Sequence, residues 1–408
     1  MSRILLKAVL CVAVAGLLAA GVKSGDISAR AKKLHFSSVV LDTHDDTTQR
    51  FLDGTFDMGE RHADGSIDIP RMHEGGLGAI FFSIWIPSKI TGQEAVNRAL
   101  TQIEAVRAQV SAHPKDLALA TTADAVRAAH KKGKIAVLMG VEGGHMINSD
   151  LDVLRKFASL GVRYMTLTHS GNDEWADSST DKPAHNGLTD FGQQVVREMN
   201  RLGVIVDISH VSDKTFYDAL VVSEAPMIAS HSSCRAICDV PRNMTDPMMK
   251  DLAAKGGVVQ INYHVGFLSQ EFRSAEKANP EINKAIAEQV QKRCGDNEAC
   301  QLLEGDRLTR EAVEQGKLPR VDWTTIIEHM DHAVKVAGVD HVGLGSDFDG
   351  ANMPYGMEDA SMLPKITDAL LKKGYSESDV QKILGENTLR VMSEVERVSR
   401  ELSKRSHR

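Results

Sequence analysis

Six short apolar runs in this chain each end in a side chain that binds metals. Val39-Val40-Leu41-Asp42 leads into Thr43-His44-Asp45-Asp46, and Ile135-Ala136-Val137-Leu138-Met139-Gly140-Val141 leads into Glu142. Tyr164-Met165-Thr166-Leu167-Thr168 stops at His169, and Val204-Ile205-Val206-Asp207-Ile208-Ser209 stops at His210. Pro226-Met227-Ile228-Ala229-Ser230 is followed by His231, and His341-Val342-Gly343-Leu344-Gly345-Ser346 by Asp347. Apolar runs this short, bounded by glycine and polar residues, read as strands buried on both faces of a parallel sheet. Functional groups gathered at the C-terminal ends of many parallel strands are how an α/β barrel builds its site. The pattern constrains fold and chemistry together, toward a metal-dependent hydrolase on a barrel.

Two further runs, residues 78–85 and 257–262, bring the strands to eight. Between the strands lie stretches with helical spacing at 93–110, 150–159, 190–202, 213–222, 247–254 and 323–337. Strands alternating with helices and no Pro- or Ser-rich linker predict a (β/α)8 TIM-type barrel. One domain is expected over residues 25–408, with a helical insertion between the seventh and eighth strands at about 267–320. Residues 364–402 read as helices closing the bottom and side of the barrel.

The formal net charge is -7, and no basic stripe with interleaved aromatics is present, so nucleic acid is not an expected partner. Arg3 and Lys7 precede an uncharged stretch from Ala8 to Val22 that ends on small residues. This is the pattern of a signal peptide over residues 1–24, shorter than a membrane span. Export to a periplasmic or secreted location is expected, with membrane contact only if that segment is retained. No hydrophobic C-terminal tail suggests a glycolipid anchor. Cys234, Cys238, Cys294 and Cys300 are spaced wrongly for paired zinc knuckles, and as disulfides they permit three connectivities.

His44 and Asp46 are two apart, so in an extended chain their side chains share a face. Glu142 precedes Gly143-Gly144, and a carboxylate there can bridge two cations. His210 and His231 end neighbouring strands, and neutral imidazoles suit zinc. The ligands divide between two metals: His44, Asp46 and Glu142 on one, Glu142, His210 and His231 on the other. Such a pair activates water and polarises a carbonyl. Asp347 is then available to shuttle a proton and His169 to donate to an oxyanion, though either can instead be a ligand. Glu328, His329, Asp331 and His332 have metal-type spacing but fall on a helix before the last strand, where a solvated face is expected.

These residues bring a family into view. Thr43-His44-Asp45-Asp46, Val141-Glu142-Gly143-Gly144-His145, Leu167-Thr168-His169, Asp207-Ile208-Ser209-His210, Ala229-Ser230-His231-Ser232-Ser233 and the block from Gly338 to Gly350 resemble the membrane dipeptidases, peptidase family M19. The resemblance implies two zinc ions per subunit bridged by Glu142, and hydrolysis of dipeptides with tolerance for a D-residue at the C-terminal position. It implies that His169 contacts substrate near the scissile carbonyl and that Asp347 moves the proton. It places Arg242 where the substrate's free carboxylate is held, a role that suits a guanidinium fork. It offers Tyr263 as a further substrate contact and implies a homodimer. The same centre can open a lactam, a lactone or an N-acyl amino acid, and a catalytically silent metal-binding receptor domain is the reading outside enzymes.

Overall fold

Each of the eight apolar runs read as strands is a parallel strand. The structure, a computed structural model, describes residues 27–52 and 54–405, so the signal-type segment 1–24 lies outside the described residues. The strands are β1 (Val40–Asp45), β2 (Leu77–Trp85), β3 (Leu117–Leu119), β4 (Ile135–Glu142), β5 (Val162–Thr166), β6 (Ile205–Asp207), β7 (Ile228–Ala229), β8 (Val258–Ile261) and β9 (Val342–Leu344). β2 pairs with both β1 and β4, and β9 pairs with β1, so all strands but β3 close into an eight-stranded parallel barrel. β3 was not anticipated. Its short Leu-Ala-Leu run flanks the start of β4, just before β5 joins.

Alternation along the strands separates two apolar layers. Leu41, Phe81, Leu138, Ile205, Ile228 and Val258 point inward and meet Leu389, Val391, Met392 and Val395 of the helix Asn387–Arg405. That helix plugs the bottom of the barrel, as the C-terminal apolar spacing predicts. Val40, Ile80, Phe82, Val137, Met139, Val206 and Val259 join the second layer, under the surrounding helices. The upper interior is thereby left to polar residues at the strand ends. Among the described residues no helix is long and apolar enough to cross a membrane.

The insertion after β8 is helical, with Gln270–Ala278, Pro280–Cys294 and Glu298–Glu314 in succession. Cys294 and Cys300 form a disulfide across the turn between the last two, whereas Cys234 and Cys238 are buried free thiols. A second irregular excursion, residues 167–189, follows β5 and was not expected. It is organised by Asp177, whose carboxylate accepts from the backbone N–H groups of Ala184, His185 and Gly187.

The helix Thr324–Ala337 carries the metal-type spacing discounted from sequence, and among the described residues it contributes to no metal-type cluster. His329, however, is fully buried rather than solvated. Its Nε2–H donates to the Leu268 carbonyl at 2.9 Å and its Nδ1 accepts from the Cys234 N–H at 3.0 Å. A proton on Nδ1 would face another donor, and burial holds its pKa down at about 4. The unfolded chain takes up that proton below about pH 6.5, while the native chain does not until about pH 4. This contribution, on the order of 3 kcal/mol, is therefore complete above that window and lost as pH falls through it. A thermal-midpoint series from pH 7 to 4.5 is expected to decline, less steeply in His329→Gln; parallel slopes would refute the assignment.

Candidate metal centre

A bulge in β1 aims the first two expected ligands. Asp42 pairs with Ile80 and Asp45 with Phe82, so β1 carries one extra residue over this step. The extra residue reverses the alternation set by Leu41 and turns His44 and Asp46 into the barrel mouth. His44 Nε2 lies 3.7 Å from Asp46 Oδ2 and 3.4 Å from Glu142 Oε2. The other Glu142 oxygen, Oε1, faces His210 Nε2 at 2.9 Å and His231 Nε2 at 3.3 Å. One carboxylate thus stands between two sets of imidazoles.

The backbone at these strand ends is shaped for the task. His210 and Asp347 have φ of 67° and 65°, left-handed values that non-glycine residues adopt mainly at sites that require them. Gly140 leaves room for the Tyr164 ring, since a Cβ there would lie 1.9 Å from Tyr164 Cζ. Tyr164 can therefore reach His44 Nδ1, at 2.8 Å. Gly350 does the same for Asp46, whose Oδ2 would be 1.8 Å from a Cβ at that position.

Hydrogen bonds behind the imidazoles leave lone pairs facing the centre. Asp207 Oδ2 accepts the Ser230 hydroxyl proton at 2.6 Å, so Ser230 Oγ in turn accepts from His231 Nδ1–H at 2.8 Å. His231 Nε2 is then unprotonated, 2.9 Å from His210 Nε2 and beside an anionic carboxylate. His44 Nε2 and Asp46 Oδ1 are buried with no hydrogen-bond partner. Bare donor atoms converging in a dry interior are costly unless a cation lies between them. Three sets of ligand atoms converge: His44, Glu142 and His231; Glu142, His169 and His210; His44, Asp46 and Asp347. Two of them share Glu142, a cluster that fits a binuclear metal site. The sets cut across the expected division, because His231 also reaches His44, and His169 and Asp347 join the clusters.

The electrostatics agree. Burial opposes ionisation of Glu142, but His44 and His169, with hydrogen bonds from His210 and His231, hold it well below the usual carboxylate range. Burial likewise opposes a charge on His44, yet Tyr164, Glu142 and Asp46 raise it well above the ordinary imidazole value. A field that draws a proton to His44 Nε2 also draws a metal ion. Burial, and then Arg242, hold His210 well below the ordinary value, so it is a neutral ligand type.

Asp347 Oδ1 lies 4.0 Å from His44 Nε2, and its Oδ2 accepts from Asn262 Nδ2 at 2.8 Å. His169 Nε2 lies 3.8 Å from Glu142 Oε1 and accepts from the Trp85 indole N–H at 2.9 Å. Arg242 is buried over the Phe267 ring; its Nη2 donates to the His231 carbonyl at 3.3 Å, and its Nε and Nη1 have no partner. Burial lowers its pKa to about 10, which still leaves a full positive charge at neutral pH. Asp347, His169, Trp85 and Arg242 line one cavity of about 370 Å³ with Glu142, His210 and His231, and Gln301, Leu302 and Gly305 of the insertion roof it over.

Tyr263 is the exception. It is not among the residues lining that cavity; it is fully buried in the apolar layer, edge-on to Phe348 at 5.9 Å. Alternation explains this: Val258 and Gln260 point into the barrel, so Asn262 does too and Tyr263 turns away. Asn262, bonded to Asp347, and His264, in the cavity lining, were missed for the same reason. Trp85, read only as the end of an apolar run, was missed as well.

Tyr164→Phe keeps the ring and removes the hydroxyl that orients His44. Metal affinity is expected to fall about 10–100-fold, as for other outer partners of a ligand histidine. Competition with a chelator measures this directly, and unchanged affinity would show that the His44–Tyr164 bond has no such role.

Comparison with known proteins agrees with this geometry. The profile of membrane dipeptidase (peptidase family M19) matches residues 28–406. Dipeptidase 3 of Mus musculus is 36% identical over 334 residues, covering 80% of this chain and 57% of that protein, so the match spans little more than half of the relative's length. The structure of the probable dipeptidase PvdM from Pseudomonas aeruginosa is similar with a TM-score of 0.74 at 26% identity, covering 90% of this chain and 98% of that one. A metallo peptidase from Rhodobacter sphaeroides, liganded with a phosphinate mimic of the dipeptide L-Ala-D-Ala, has a TM-score of 0.72 at 26% identity, covering 88% and 99%. With the strand-end cluster, the profile match and the mouse relative in agreement, the chain belongs to the membrane dipeptidase family, peptidase family M19.

Proposed function

We propose that this chain hydrolyses dipeptides, L-L and L-D, at a centre of two zinc ions. His44, Asp46 and Glu142 would hold one ion and Glu142, His210 and His231 the other. Bound there, zinc supplies Lewis acidity toward the scissile carbonyl and makes water acidic enough to attack near neutral pH. The observation that carries the substrate class is Arg242: a buried guanidinium with two idle donors, in the same cavity as the cluster. A buried cation of this kind calls for an anion, and the α-carboxylate of a short peptide fits its planar fork. A longer peptide places an amide there and leaves the charge unpaired. That is how length is selected.

Asp347 would take a proton from the attacking water at Oδ1 and return it to the leaving nitrogen, a role supported by the Asn262 hydrogen bond that holds Oδ2. His169, whose Nε2 accepts from Trp85, would carry its proton on Nδ1, 3.2 Å from Ser88 Oγ, and that Nδ1–H would be the donor to the developing oxyanion. Tolerance of a D-residue draws support from the L-Ala-D-Ala mimic held by the Rhodobacter sphaeroides protein. Export draws support from the signal-type residues 1–24 and from the Cys294–Cys300 disulfide, a bond favoured in oxidising compartments.

The test is a panel on zinc-loaded protein: L-Ala-L-Ala, L-Ala-D-Ala, tri-alanine and N-acetyl-alanine. Both dipeptides are expected to be cleaved, with the tripeptide at least about 100-fold slower in kcat/KM. Equal cleavage of the tripeptide, or cleavage of N-acetyl-alanine alone, would replace the dipeptidase reading.

A further inference from the structure

The roof of the catalytic cavity is a helix that breaks a rule of helix composition. Gly305 sits inside Glu298–Glu314, where glycine is the least favourable residue after proline. A glycine in such a place ordinarily answers to a clash or a left-handed backbone. Neither applies here: its φ is not positive, and a Cβ built on it meets nothing within 4 Å. Gly140 and Gly350 show the contrast, since a Cβ on either would collide with Tyr164 or Asp46. The empty space at Gly305 belongs to the cavity that Arg242 and Asp347 line.

The roof is also held in place. The stripe that carries Gly305 continues along the helix into Leu308 and Ala312, which are buried one and two turns further on, and Cys300 ties the helix start to the preceding helix. Helical spacing puts Gly305 on the same face as Gln301, and the adjoining Leu302 makes the wall apolar. The gap is thus a fixed part of the pocket.

Resting on the dipeptidase reading, we infer that Gly305 determines substrate specificity: the side chain it lacks leaves the volume that receives a branched or aromatic side chain of the dipeptide. The readout is the ratio of kcat/KM for Leu-Leu and Phe-Phe to that for Ala-Ala, measured on the full zinc-loaded chain. Gly305→Leu puts a good helix former in the gap and is expected to lower both ratios at least tenfold, with metal content unchanged. Gly305→Ala, a milder filling that strengthens the helix, is expected to lower them about threefold, and supplies the test if the leucine variant does not fold. Ratios within twofold of wild type in a folded variant would overturn the inference while leaving the dipeptidase reading intact. A wild-type protein that cleaves no dipeptide would overturn both.

Discussion

Glu142→Gln is expected to release both metal ions and to cut turnover by about 10³-fold or more, on the order of 4 kcal/mol of transition-state stabilisation. The substitution is nearly isosteric and changes little else in a strand buried along its whole length. What it removes is the negative charge standing between His44 on one side and His210 and His231 on the other. A neutral amide presents an N–H₂ to one of those sets, so a donor would point at a cation. Affinity then falls on both sides at once, because the bridging oxygens come from one side chain. Metal analysis after dialysis, alongside kcat on Ala-Ala, measures the two losses together. Retention of two equivalents of metal with low activity would make Glu142 an acid–base group instead of a bridge.

Arg242→Ala is expected to cost about 10²- to 10³-fold in kcat/KM for dipeptides, the range for removing one partner of a buried, charge-assisted pair. The loss is specific in kind. A dipeptide amide has no carboxylate to offer, so the preference for free acid over amide should collapse in the variant. The stability readout runs the other way. Without substrate, Arg242 is a buried cation with unsatisfied Nε and Nη1, so truncating it removes a desolvation cost and the thermal midpoint should not fall. A large drop in midpoint with an unchanged acid-to-amide preference would mean that Arg242 serves the fold and not the substrate.

The barrel was legible because strands buried on both faces leave uninterrupted apolar runs, as in Ile135–Glu142. The site was legible for a related reason: a polar residue ending such a run has little structural purpose, and His44, Glu142, His210 and His231 did converge. What sequence could not convey was direction. A single extra residue in β1 turns His44 and Asp46 inward, and no local signal marks that bulge. Tyr263 is the opposite case, since alternation from Gln260 onward was available and assigns the inward role to Asn262. Spacing also misdescribes His329: helical periodicity placed it with charged neighbours, while tertiary packing buried it between Leu268 and Cys234. The cavity roof lies furthest from sequence reading, because it depends on where a long insertion folds back over the barrel mouth.

A crystal of the zinc-loaded protein measured at the zinc absorption edge tests the binuclear centre most directly. Two anomalous peaks are predicted, one on each side of the Glu142 carboxylate, with His44 and Asp46 at one and His210 and His231 at the other. A single peak, or peaks only at other residues, in a protein that still cleaves dipeptides would contradict it.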